Sequence, residues 1–172
     1  MSLSLLIIRK ARRLLNKLTS FLKDAKSVVV IGMGNELRAD DAVGLHVVRF
    51  LKPYTTNQLQ VFEGHMTPEA FIRPACAKHP THVLIIDAAE LHTKPGVWRV
   101  LSSDEVKEDL FTTHAIPITE VAAEFQRRCG VKVAFLGIQP KLRETSLSLS
   151  KECQSAAKEI ADFILKITSD LA

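Results

Sequence analysis

The chain has few of the residues that stabilise or specialise a protein by means other than a packed core. Its three cysteines, Cys76, Cys129 and Cys153, stand far apart and include no C-x-x-C pair, which argues against a thiolate zinc clamp or a C-x-x-C redox centre. They read as reduced core thiols. One Trp and one Tyr leave no run of aromatic rings on which bases could stack. No apolar run approaches the ~18 residues of a membrane span, and Leu3 to Ile8 precede the charges at Arg9 and Lys10, the reverse of a secretory signal. A cytoplasmic protein without membrane association is expected. Repeats and low-complexity segments are missing too. What is there, 47% hydrophobic and 24% charged residues over 172 positions, suits one folded domain and not a disordered chain.

The net charge is +4, but it is unevenly placed: residues 1–26 hold seven bases against one acid, and the remainder holds sixteen bases against eighteen acids. The body is slightly acidic. No nucleic-acid partner is expected.

Within residues 4–23, the apolar positions Ile7, Ile8, Ala11, Leu14, Leu15, Leu18, Phe21 and Leu22 form one stripe of an amphipathic helix, with the bases mostly off it. Such a helix docks on its own domain or a neighbouring copy, or else reaches a partner or an acidic membrane surface. The expected division is a basic helix over 1–26 and a single α/β domain over 27–172. A monomer is expected, with that helix as its route to any self-association.

From Ser27 onward, short apolar runs alternate with helical patterns. Strands are expected at Val28 to Gly32, Leu59 to Phe62, Val83 to Ile86 and Val131 to Gly137, with a short antiparallel edge strand in Gly96 to Leu101. Helices are expected at Asp41 to Leu51, Pro68 to Cys76, Pro117 to Arg127 and Lys151 to Ile167. The fully apolar character of VVVIG, VLIID and VAFLGI indicates strands covered on both faces. The expected architecture is α/β: a three-layer αβα sandwich around a mainly parallel twisted sheet of about five strands, plus the N-terminal helix. Chemistry then belongs at the carboxyl ends of the strands, where connections switch sides.

The first strand runs into Gly32-Met33-Gly34-Asn35-Glu36-Leu37-Arg38-Ala39-Asp40-Asp41. A strand, a G-x-G turn and a helix open a dinucleotide-binding unit, and Glu63 at the second strand end stands where a ribose-binding acid would. A nucleotide-binding module is therefore the alternative reading. Against it, Leu37 fills the third glycine position, and Asp40 and Asp41 would repel a pyrophosphate from the helix start. Asp40 suits a helix N-cap; Asp41 is then surplus to capping and a candidate for function. Asp87 ends the strand H-V-L-I-I-D at the same carboxyl edge. His114, in F-T-T-H-A-I-P, and His65, in E-G-H-M-T-P, are the imidazoles nearest to such an edge. Two carboxylates and an imidazole suit Zn, Ni or Mn rather than a thiophilic cluster, and a metal would relieve the acids' mutual repulsion. The residues themselves support a hydrolase-like or metal-recognising site.

In order and spacing, G-M-G-N-E-L-R-A-D-D-A-V-G, E-G-H-M-T-P-E, V-L-I-I-D-A, F-T-T-H-A-I-P and F-L-G-I-Q-P resemble the nickel-iron hydrogenase maturation endopeptidases. T-T-H and G-I-Q-P bring the chain nearest to the branch that processes the hydrogenase 3 (formate hydrogenlyase type) large subunit. The resemblance runs from about residue 27 to 168 and omits the basic helix. It implies an endopeptidase that removes a short C-terminal extension from the hydrogenase large-subunit precursor after nickel insertion. It also implies that Asp41, Asp87 and His114 recognise nickel that the precursor's own cysteines hold, so that no tightly bound cofactor is needed. Gln139 is expected to hydrogen-bond substrate backbone. A non-proteolytic assembly chaperone is the other alternative. Two departures stand out. Ala42 replaces a glycine, at little cost if φ there is negative. Glu63-Gly64-His65 replaces D-G-G, which makes His65 an extra ligand or a selector of substrate.

Overall fold

The structure, a computed structural model, describes residues 17–102, 104–106 and 117–169. Five strands form one sheet: β1 (Val28–Met33), β2 (Leu59–His65), β3 (His82–Ala88), β4 (Trp98–Leu101) and β5 (Lys132–Ile138), in the order β2-β1-β3-β5-β4. The first four in that order run parallel, and β4 closes the edge antiparallel to β5. All five expected strands are present, each within a few residues of its expected ends.

β1 is buried along its whole length, and side-chain alternation divides its residues between two cores. Val28 and Val30 join Leu84, Ile86, Leu136 and the helices α2 (Val43–Leu51) and α5 (Lys151–Thr168) on one face. Val29 and Ile31 join Val83, Ile85 and Phe135 under α3 (Ile72–Cys76) and α4 (Ile118–Cys129) on the other. This is the three-layer sandwich that the apolar strands require. Local signals set the helix ends. Ser150 caps α5 by accepting the Cys153 N–H at 3.3 Å, and Gly130, with a φ of 64°, ends α4 in the left-handed conformation.

Three expectations change. The helix expected from Asp41 begins as a 3-10 turn, Ala39–Ala42, and becomes α-helical only at Val43. The helix expected over Pro68 to Cys76 splits into a 3-10 turn, Pro68–Phe71, and α3, because the Pro74 ring clashes with a regular α-helical carbonyl four residues back. The cysteines are not all free thiols. Cys76 and Cys129, at the ends of α3 and α4, are disulfide-bonded with their Cα atoms 5.8 Å apart, and only Cys153 is free and buried among them.

The described part of the N-terminal helix, α1 (residues 17–22), docks on the domain itself. Leu18 and Leu22 are fully buried in the α2/α5 core. The Phe21 ring meets that of His82 edge-on at 5.1 Å, Lys17 pairs with Glu105 at 2.6 Å, and Asp24 pairs with Lys132. No helix among the described residues is long and apolar enough to cross a membrane.

Candidate active site

The turn after β1 is held down on the strand ends by two glycines. Gly34 has a φ of 135°, and a Cβ there would lie 1.9 Å from the Asp41 carbonyl oxygen. Gly44, in the first turn of α2, lies against β3 so closely that a Cβ would be 2.2 Å from the Ile86 carbonyl oxygen. Ile86 directly precedes Asp87. The backbone thereby brings Asp41, in the 3-10 turn, and Asp87, the penultimate residue of β3, to one carboxyl edge. They stand where the chain leaves β1 toward β2 on one side while β3 and β5 lie on the other, the switch point at which open α/β sheets bind their ligands.

Asp41 is 7% exposed and Asp87 is fully buried, and the Ala88 N–H donates to Asp87 Oδ1 at 2.8 Å. Both acids are thus withdrawn from water at the same sheet edge, and carboxylate oxygens are donors that cations such as Zn, Ni or Mn accept. Among the described residues, no group of three or more His, Cys, Asp or Glu side chains is arranged to hold a metal ion. His114 lies outside the described residues. Free Cys153 supplies no nucleophile, because burial pushes its thiol up to about 11 and keeps it protonated.

Asp40 is not the helix cap that its position suggests. No side chain caps either the 3-10 turn or α2. Its fully buried carboxylate instead accepts N–H bonds from Lys141 at 2.8 Å, Leu142 at 2.9 Å and Ser150 at 2.6 Å. Burial pushes its pKa up, but these backbone donors outweigh burial and hold it below the ordinary value. Asp40 thus ties the loop between β5 and α5 to the turn that carries Asp41. No local signal reveals this role, since the partners lie about a hundred residues downstream.

Three other expected residues find different surroundings. Glu63 is bound by Arg49, at 2.9 and 2.8 Å, and by Lys52 at 3.1 Å. Burial raises its pKa and these cations more than offset the rise; its carboxylate is occupied within the fold, not offered to a ribose. Gln139 is likewise turned inward: Oε1 accepts from the Leu91 and Thr93 N–H groups at 2.8 and 3.3 Å, and Nε2 donates to Glu90 at 3.0 Å. It braces the loop after β3, and its expected contact with substrate is replaced by that internal one. His65 is exposed with a φ of 49°, a left-handed conformation that glycine adopts more readily, so the histidine that stands where the resemblance has glycine occupies a backbone position suited to glycine. Ala42 has a φ of −83°, so its replacement of a glycine is unstrained.

A mainly parallel sheet between helix layers, with withdrawn acids at its switch point, defines an α/β fold of the doubly wound kind. Residues 45–167 match the family described as HycI, hydrogenase maturation protease; the match includes Asp87 and His114 and begins just after Asp41. The hydrogenase 3 maturation protease of Escherichia coli K12 is 30% identical over 115 residues, 66% of this chain and 73% of its own length. A Methanocaldococcus jannaschii protein provisionally named a hydrogenase maturation protease is 29% identical over 87% of this chain and 93% of its own length. In fold, the crystal structure of the [NiFe] hydrogenase maturation protease HycI from Thermococcus kodakarensis superimposes with a TM-score of 0.82 at 23% identity, covering 89% of this chain and 99% of that one. The solution structure of the endopeptidase HycI from Escherichia coli gives 0.70 at 25% identity, covering 79% and 87%. The chain belongs to the hydrogenase maturation protease family. It is an endopeptidase, a hydrolase of peptide bonds.

Proposed function

We propose that the protein removes a C-terminal extension from the large-subunit precursor of a nickel-iron hydrogenase once nickel is in place. In this reading the nickel is part of the substrate, held by precursor cysteines, and Asp41, Asp87 and His114 engage it. The observation that carries the reading is the placement of two carboxylates withdrawn from water, Asp41 and Asp87, at the switch point of the sheet, in a chain whose family is hydrogenase maturation protease. Oxygen and imidazole donors complement a metal already bound by thiolates, and the chain's one free thiol is buried and protonated. Engaging the metal fixes the scissile bond beside the carboxylates, which replaces a random encounter by a positioned one. One water is consumed, and the products are the shortened subunit and a free peptide. The protein acts as a monomer in the cytoplasm, and the free enzyme holds no tightly bound metal.

The test is the mass of the precursor after incubation with the protein, with and without prior nickel loading. Shortening of the loaded precursor alone is expected. A loaded precursor that binds but keeps its mass would favour an assembly chaperone, and equal cleavage of the nickel-free form would contradict metal recognition.

A further inference from the structure

β5 ends at Ile138, and the residues that follow it hold parts of the fold that lie far apart in sequence. Gln139 is buried and uses every hydrogen-bonding group it has. Its N–H donates to the Val97 carbonyl at 2.8 Å, and its carbonyl accepts from the Gly96 N–H at 2.9 Å. Besides the bonds of its side chain to Glu90, Leu91 and Thr93, Nε2 donates to the Pro140 carbonyl at 3.3 Å. Glu90 is gripped a second time, by Arg143 at 3.0 Å. Between those two residues, the Lys141 and Leu142 N–H groups go instead to Asp40. The segment 139–143 thus holds both the loop that leaves Asp87 and the residue that precedes Asp41. The remaining step is filled by the Ala89 N–H, which donates to the Ile138 carbonyl at 2.9 Å. An apolar residue at 139 would leave the Leu91 and Thr93 N–H groups without this acceptor.

We propose that Gln139 is a positioning residue for peptide-bond cleavage, acting on Asp87 through the loop at residues 90–93, and that the segment 139–143 keeps Asp87 and Asp41 on one frame; this rests on the reading that the two acids engage the substrate. Gln139 touches no substrate in this role. It fixes the chain at the end of β3, so that Asp87 is already in place when the precursor arrives. Such support matters for rate, because a small displacement of a reacting or orienting group costs far more in turnover than in binding.

The experiment uses the full chain and nickel-loaded precursor, and exchanges donor for acceptor. Gln139→Glu keeps an acceptor for Leu91 and Thr93 but sets a carboxylate against that of Glu90 where a hydrogen bond was donated. Adding Glu90→Gln returns a donor to the pair from the opposite side. Initial rates at a series of precursor concentrations should give a kcat at least about tenfold lower in Gln139→Glu, with KM within about threefold of wild type. The double variant should recover to within about threefold of the wild-type kcat. Leu18→Ala, destabilised in the core beneath α1, should keep the wild-type kcat per folded molecule, which separates positioning from loss of stability. A wild-type kcat in folded Gln139→Glu would overturn the proposal, as would a folded double variant without recovery. Should Gln139→Glu not fold, Glu90→Ala, at the more exposed end of the pair, carries the test: kcat should fall at least about threefold, and an unchanged kcat overturns the proposal. Equal rates for wild type and Asp87→Asn would sink the reading of the acids instead. Amide exchange at Ala88, whose N–H donates to Asp87 Oδ1, then decides the frame by itself. Exchange at least about tenfold faster in Gln139→Glu supports it, and unchanged exchange contradicts it.

Discussion

Gly44 presses its α-carbon onto the carbonyl oxygen of Ile86, leaving no room for a side chain between α2 and the end of β3. This contact seats α2 against the end of β3, and each acid lies within three residues of one of the touching positions. The atoms that a Cβ at residue 44 would meet are the Ile86 oxygen at 2.2 Å and the Met33 oxygen and nitrogen at 2.6 and 2.8 Å, all backbone. None can rotate away. Gly44→Ala is expected to destabilise by about 3 kcal/mol in chemical denaturation, and its folded fraction should process precursor more slowly than wild type.

Asp40→Asn replaces an acceptor of three N–H bonds by a group that presents its own N–H to at least one of them. A loss of about 3 kcal/mol is expected at neutral pH. The folded pKa of Asp40 lies below its ordinary 3.8, so the carboxylate's contribution is complete above that value and is lost as pH falls through the lower folded one. Denaturation at pH 7 and near pH 2 should therefore show the gap between wild type and variant narrowing in acid.

Leu18 and Leu22 make α1 part of the core, although charge and composition set the first 26 residues apart from the rest. Leu18→Ala is expected to cost about 3 kcal/mol. A helix that served only an external partner would leave stability within about 0.5 kcal/mol of wild type.

The disulfide between Cys76 and Cys129 predicts one reactive thiol, that of Cys153, in unreduced denatured protein, and three after reduction. It spans 53 positions. In the chain-entropy account reduction lowers stability by about 4 kcal/mol and the melting temperature on the order of 10 °C. Three alkylated thiols without reductant would contradict the bond.

The sheet was legible because its strands are continuous β-branched and aliphatic runs, and because the G-x-G turn at Gly32 and Gly34 marks the end of the first strand locally. Asp41 and Asp87 were legible as candidates because a switch point makes strand-end acids conspicuous. What periodicity could not show was long-range pairing. Asp40 looks like a cap by position and is a tie to a loop far downstream; Gln139 looks like a substrate contact and braces the β3 loop; Cys76 and Cys129 meet only through the packing of α3 on α4. Each depends on tertiary geometry that leaves no trace in neighbouring residues.

The most direct measurement of the central claim is the processing rate of nickel-loaded precursor, read by mass spectrometry, for wild type, Asp41→Asn, Asp87→Asn and His114→Ala. If the three residues engage the substrate's nickel, each variant should remain folded and lose at least about a hundredfold in rate. Processing at the wild-type rate by folded Asp87→Asn and His114→Ala would contradict the account.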